Sequence, residues 1–143
     1  MDYQAIALFE HEFTVHPDEV DVQGHVNNVV YVKWMQDLAI LHSDANGGSK
    51  ATREAGAAWV VRSHRIEYLK PAFAGDRIRG RTWIEDFRRV RSLRRYEFLR
   101  FSDEVLLARG ETDWIFVNAT DGRPRSIPLP VQNAFPLLEK DPG

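Results

Sequence analysis

The stretch that decides the fold is Asn27-Asn28-Val29-Val30-Tyr31-Val32-Lys33-Trp34-Met35-Gln36-Asp37-Leu38-Ala39-Ile40-Leu41-His42-Ser43-Asp44-Ala45-Asn46-Gly47-Gly48. Within it Tyr31, Trp34, Met35, Leu38, Leu41, His42 and Ala45 recur at helical spacing and make one apolar stripe. Asn27 or Asn28 can cap the start. Asn46-Gly47-Gly48 supplies a left-handed stop. No comparable helix is visible elsewhere, although residues 50–56 suit a short helical turn.

Outward from this helix the sequence turns to strands. Residues 6–15 alternate loosely and stop at Pro17. Residues 59–69 are rich in β-formers and end at Pro71. Residues 76–87, 92–101 and 105–118 follow, separated by short polar turns. Such short links predict antiparallel pairing in a meander. Residues 128–135 suit a short capping helix with Pro128 or Pro130 near its start. One long helix with about five long antiparallel strands is an α+β layout, whose sheet must bury its apolar face under the helix. A hotdog, a sheet wrapped around one central helix, is one such fold; cone-shaped and cystatin-like folds are others.

A chain of 143 residues predicts a single domain over residues 1–143. Its 43% hydrophobic and 28% charged residues exclude disordered, collagen-like and coiled-coil classes. The absence of cysteine excludes disulfides, thiolate metal sites and a Cys nucleophile, and suits a reducing cytoplasm. No apolar run approaches the roughly 20 residues of a membrane span. The first residues carry acids and no basic segment, so no signal peptide is expected. A net charge of −2 gives no footprint for nucleic acid. Residues 62–100, however, hold 12 Arg/Lys against 5 Asp/Glu, a local basic surface suited to a phosphorylated small molecule.

Chemistry concentrates in the loop before the helix, Glu19-Val20-Asp21-Val22-Gln23-Gly24-His25-Val26-Asn27-Asn28. It sets a carboxylate shortly before a glycine and a run of N–H groups that opens a helix. Those N–H groups are unsatisfied and sit at the positive end of the dipole, suited to hold an oxyanion. A carboxylate facing them can act as nucleophile or as general base on water. Gly24 permits a positive φ. The residues alone leave a second reading open: a loop acid, a turn glycine and an ordinary cap.

The pattern D-x-x-G-H-V-N-N-x-x-Y, from Asp21 to Tyr31, resembles the signature of the 4-hydroxybenzoyl-CoA thioesterase-like hotdog family, acyl-CoA thioesterase branch. Glu67-Tyr68-Leu69-Lys70-Pro71, Gly75-Asp76 and Asp121-Gly122-Arg123-Pro124-Arg125-Ser126-Ile127-Pro128 agree in order and length, so the resemblance covers about residues 6–135. It implies the hotdog fold, with Asp21 as the catalytic carboxylate and the backbone N–H of Asn28 as oxyanion donor. It implies a close backbone contact at Gly24 and a positioning role for His25, whose ordinary alternative is a helix-entry histidine bonded to backbone. Tyr31 matches the motif tyrosine, as a substrate contact or as core. Many relatives carry an Asp where this chain has Glu19, which makes Glu19 an alternative acid. Asp37 and Asp44 are further alternatives, but lie off the apolar stripe. The resemblance also implies a homodimer or homotetramer with the active site at the dimer interface, Asp21 facing the partner's helix N-terminus. No cofactor is expected.

Arg88, Arg89, Arg91, Arg94 and Arg95 fall within eight residues. Arg88, Arg89 and Arg91 in particular suggest a clamp for the phosphates of coenzyme A, against a solvated hairpin as the ordinary reading. Arg62, Arg65, Arg77, Arg79 and Arg81 alternate along strands and can line the same surface. His11, His16, His25, His42 and His64 have no metal-binding spacing, and His42 belongs to the core or a pocket. No G-x-S-x-G elbow is present. Trp34, Trp59, Trp83 and Trp114 line an acyl channel or simply pack the helix on the sheet.

The reading is an acyl-CoA thioester hydrolase. A non-catalytic acyl-CoA or acyl-carrier-protein binding hotdog and an enoyl-thioester hydratase are the alternatives.

Overall fold

The apolar stripe forms the longest helix, α1 (Asn28–Asn46), in a computed structural model that describes Tyr3 and residues 5–138. Asn27 is its N-cap, but no side chain caps the helix; the Asn27 carbonyl accepts from the Val30 N–H instead at 3.0 Å. Gly47 ends the helix in the left-handed region, at φ +86°. The buried face runs through Tyr31, Trp34, Met35, Leu38, Ala39, His42 and Asn46. Leu41 and Ala45, expected on it, are exposed. Leu41 faces an open groove beside His11 and Phe13 rather than the sheet.

Five strands follow the expected order: β1 (Phe9–Thr14), β2 (Ala57–Tyr68), β3 (Arg77–Arg88), β4 (Arg91–Arg100) and β5 (Leu106–Asn118). Two short α-helices, α2 (Gly48–Glu54) and α3 (Leu129–Ala134), are the others among the described residues. The sheet is antiparallel throughout, in the order β1-β3-β4-β5-β2. Thus β3, β4 and β5 form the predicted meander, but β2 does not pair with β3. Between them the chain passes from one sheet edge towards the other. That passage satisfies its backbone elsewhere: Leu69 and Lys70 donate to the Leu107 carbonyl, and Ala72 accepts from the Val26 N–H at 2.9 Å.

One face of the sheet carries α1. Its packing is closest where the strands have glycine. A Cβ at Gly80 would lie 2.8 Å from a Leu38 methyl, and one at Gly110 would lie 3.0 Å from the Met35 sulfur. Around these points Ile78, Tyr96, Phe98, Leu107 and Ala108 close the main core. A second cluster of Ala57, Phe116, Ile127 and Val131 seats α3.

The opposite face is a lattice of ion pairs. The β1–β3 register sets Glu10 against Arg81 and Glu12 against Arg79. Arg81 meets Glu10 at 3.1 Å, Arg79 meets Glu104 at 2.8 Å, and Arg95 meets Glu85 and Glu111 at 3.2 Å each. The basic excess of residues 62–100 is therefore met largely by acids that strand pairing brings alongside. Each exposed pair contributes little, about 0.2–1 kcal/mol. Among the described residues no helix is long and apolar enough to cross a membrane.

Candidate active site

Pro17 begins a single 3-10 turn, Pro17–Glu19, in the loop that leads to α1. The His16 ring accepts from the Asp18 N–H at 3.2 Å, and Glu19 Oε1 accepts from the His16 N–H at 2.8 Å. Glu19 Oε2 accepts from the Trp34 indole N–H at 2.9 Å. The two carboxylate oxygens of Glu19 are thus engaged, one on the start of the loop and one on the helix, which disfavours Glu19 as the working acid.

Asp21 is arranged differently. Its Oδ1 accepts from the N–H groups of Gln23, at 2.9 Å, and His25, at 3.1 Å. Its backbone N–H donates to the His25 carbonyl at 2.7 Å, and its carbonyl accepts from Gly24 at 2.9 Å. Gly24 sits at φ +80°, which this tight return requires. Asp21 is exposed, and its Oδ2 has no hydrogen bond among the described residues. The carboxylate is oriented through one oxygen and open to a reactant through the other.

Val20 bridges to Val26, and the Asn27 N–H donates to the Glu19 carbonyl at 2.9 Å, so the loop closes immediately before α1. The Asn28 and Val29 N–H groups, the first of the helix, have no acceptor among the described residues. His25 pairs with Phe73 across a β-bridge, and their rings meet edge to face at 5.1 Å. The Tyr68 hydroxyl, which the sequence did not single out, donates to the Asn28 carbonyl at 3.0 Å. Tyr31 is buried against Trp34, Tyr68 and Phe98, with ring separations of 4.8, 5.4 and 5.7 Å. Burial, and next to it Tyr68 and Asp76, pushes the Tyr31 hydroxyl up to about 12. Tyr31 thus packs as core behind the loop. Val22, Val29, Tyr68, Leu69 and Phe73 expose apolar surface beside the loop and helix start.

A profile of the thioesterase-like superfamily matches residues 15–135, from the end of β1 through the loop, α1 and the sheet to the end of α3. The chain belongs to the thioesterase-like superfamily. Membership carries thioester hydrolysis as the general reaction class. Solved structures agree in fold. A 1,4-dihydroxy-2-naphthoyl-CoA thioesterase from Synechocystis superposes with a TM-score of 0.79 at 20% identity, over 89% of this chain and 94% of that one. A protein from Aquifex aeolicus gives 0.81 at 24% identity, over 90% and 99%. A Staphylococcus aureus protein solved in complex with CoA gives 0.80 at 17% identity, over 94% and 85%. These likenesses establish the hotdog architecture. Comparison with curated proteins gives no match.

Elsewhere in this superfamily member the structure divides residues that are adjacent in sequence. Of the proposed clamp, Arg88 pairs with Asp86 at 3.2 Å and Arg91 forms a two-pronged pair with Asp113. The Arg89 guanidinium is exposed, with no partner among the described residues. Arg95 faces the outer lattice, whereas Arg94 turns inward. The five arginines therefore do not form one surface, because strand alternation sends neighbours to opposite faces. Asp37 pairs with Lys33 at 3.2 Å and Asp44 with the Ser49 hydroxyl, both exposed and off the buried stripe. Trp34 packs in the core, Trp83 is buried beside the outer lattice, and Trp59 and Trp114 line a cavity below α2.

His42 is wholly buried. Its Nε2 lies 2.6 Å from the Ile6 carbonyl, and its Nδ1 lies 2.9 Å from Arg94 Nη1. A carbonyl only accepts and a guanidinium only donates, so the proton is assigned to Nε2 and Nδ1 accepts. Burial, and after it Arg94, lowers this imidazole to about 3. His42 is a neutral structural group.

Proposed function

We propose that this chain hydrolyses acyl-CoA thioesters, with Asp21 as the working carboxylate and the Asn28 N–H as the oxyanion donor. The observation that carries this reading is that one short loop offers both an oriented, half-free carboxylate and a helix start with unsatisfied amides, which in a pair of chains can face one another. Asp21 Oδ2 either attacks the thioester carbonyl carbon or takes a proton from water that does so. Charge then builds on the carbonyl oxygen, and the first N–H groups of α1, aided by the dipole, stabilise it. Collapse of that intermediate expels the thiolate of coenzyme A, which takes up a proton. The water route leaves the free acid directly, and the nucleophilic route leaves a mixed anhydride on Asp21 that water then hydrolyses to the acid and the free carboxylate. Gly24 keeps the turn tight, and His25, seated on Phe73, holds its position beside the acid.

Support for coenzyme A as the thiol comes from the similar Staphylococcus aureus protein, which was solved with CoA. Of the three clamp arginines, Arg89 is the exposed one without a partner among the described residues, and it is the group offered for a phosphate contact.

The active unit is read as a homodimer, or a homotetramer built from such pairs. None of the four main cavities is lined by Asp21, Gly24, His25 or Asn28. Exposed apolar side chains flank them. A second chain supplies the missing wall, its helix N-terminus facing Asp21 of the first. β2 is a 12-residue edge strand with one side unpaired, which a second copy can extend.

The test is thiol release from acyl-CoAs running from acetyl to palmitoyl and including benzoyl and hydroxybenzoyl esters. Release on any member supports hydrolysis. Tight binding with no release makes the chain a binding module. Loss of an enoyl chromophore without thiol makes it a hydratase.

A further inference from the structure

The inner face of the sheet carries a cation where its alternation calls for an apolar residue. Arg94 stands in register with Ile84 on β3 and Thr112 on β5, and is 3% exposed. Its Nη1 donates to Thr82 Oγ1 at 3.0 Å and to His42 Nδ1 at 2.9 Å. Both acceptors are neutral. Phe135 offers only its ring, 5.5 Å from Cζ. Among the described residues no carboxylate pairs with Arg94, and its Nε and Nη2 have no hydrogen bond. A buried cation without an anion is a costly arrangement in a fold, and a bound anion relieves it.

Arg94 lines a cavity of about 410 Å³, which is within the range of small-molecule sites. Trp59, Trp114, Phe87 and Ile84 give it apolar walls. Arg53 adds a second cation, and the lining contains no acid. The buried Thr52 hydroxyl on the same wall also has no partner among the described residues. Ser43, on the cavity wall, lies 15 residues along α1 from Asn28, about 22 Å of helix. Within one chain the cavity is therefore distinct from the Asp21 loop.

We propose that this cavity binds an apolar organic acid, its carboxylate on the free edge of Arg94 and its hydrocarbon or aromatic body between Trp59, Trp114 and Phe87. The planar guanidinium offers two parallel donors, the geometry that a carboxylate accepts. Two sources supply this chemistry: a free acid, including one released by thioester hydrolysis, or an acid group at the far end of an acyl substrate.

Titration calorimetry on the full chain tests it without any thioester. The probes are octanoate and 2-naphthoate, each beside its neutral amide. At least one acid should bind once per chain and at least tenfold tighter than its amide. Arg94→Met should bring that ratio close to one. Ser43→Trp, which puts a bulky ring on the α1 wall of the cavity and leaves Arg94 in place, should abolish binding, so the test survives if the Arg94 variant does not fold. Absence of acid binding up to millimolar concentration, equal affinity for acid and amide, or binding unaffected by Ser43→Trp each overturns the proposal. With binding established, competitive inhibition of thiol release by the acid identifies an acyl-end subsite, and unchanged release identifies a separate site for the free acid.

Discussion

Trp34 donates its indole N–H to Oε2 of Glu19 at 2.9 Å, across the junction of the candidate loop and α1. The other oxygen of Glu19 holds the His16 N–H at 2.8 Å. One carboxylate thus fixes both the start of the loop and its seat on the helix. Glu19→Ala leaves a largely buried indole N–H unpaired, which costs about 1–3 kcal/mol. Trp34→Phe should cost a similar amount plus lost packing, and the double variant should fall short of the sum, because the two residues are in contact. Urea unfolding of the three variants measures this coupling.

His42 predicts a specific acid sensitivity. Its folded imidazole is lowered to about 3, while the unfolded one titrates near 6.5. The unfolded chain therefore binds a proton that the folded chain refuses. Stability from this group is fully present above pH 6.5 and is lost as pH falls towards 3, with a slope approaching about 1.4 kcal/mol per pH unit. Unfolding free energies at pH 7, 6 and 5 should show the decline, and His42→Gln should flatten it over that interval.

Gly80 marks the closest approach of helix and sheet. Gly80→Ala places a methyl 2.8 Å from Leu38 Cδ1, an overpacking worth about 1–3 kcal/mol. Leu38→Ala alone should cost about 2–5 kcal/mol through its cavity. In the double variant the new methyl enters the vacated space, so the combined loss should be smaller than the sum. Thermal or urea melts decide this.

The arginines of the β3–β4 hairpin should separate by role. Arg89→Ala should raise KM for an acyl-CoA about fivefold, equivalent to about 1 kcal/mol for one exposed ionic contact. It should leave a truncated thioester without the nucleotide unchanged. Arg91→Ala should instead lower the melting temperature, since it strands the half-buried Asp113. Kinetics on both thioesters, with melting curves, distinguish the two effects.

Much of this architecture was legible because it rests on local signals. Asn27 and Gly47 bracket α1 as the cap and stop pattern indicates, Pro17 opens the 3-10 turn after β1, Gly75 falls in the turn before β3, and Gly122 lies just past the end of β5. Non-local pairing was not legible. Short links suggested that β2 and β3 are neighbours, but the 69–76 connection satisfies its hydrogen bonds on Leu107 and Val26 and carries the chain away. Arg94 was hidden for a related reason. As one of five nearby arginines it reads as surface, and only the β3–β4–β5 register shows that it points to the core. At the candidate site, the Asp21-to-Tyr31 pattern named the loop. Tyr68 and Phe73, 40 or more residues from it, reach it only through the fold.

The central claim, that Asp21 performs the chemistry, is tested most directly by the turnover of Asp21→Asn on the best acyl-CoA found for the wild type. Asn keeps an oxygen for the Gln23 and His25 N–H groups, so the loop should hold and the melting curve should change little. Its amide is neither base nor nucleophile, so kcat should fall by roughly 10²–10⁴. A folded Asp21→Asn variant releasing thiol at the wild-type rate would contradict the account.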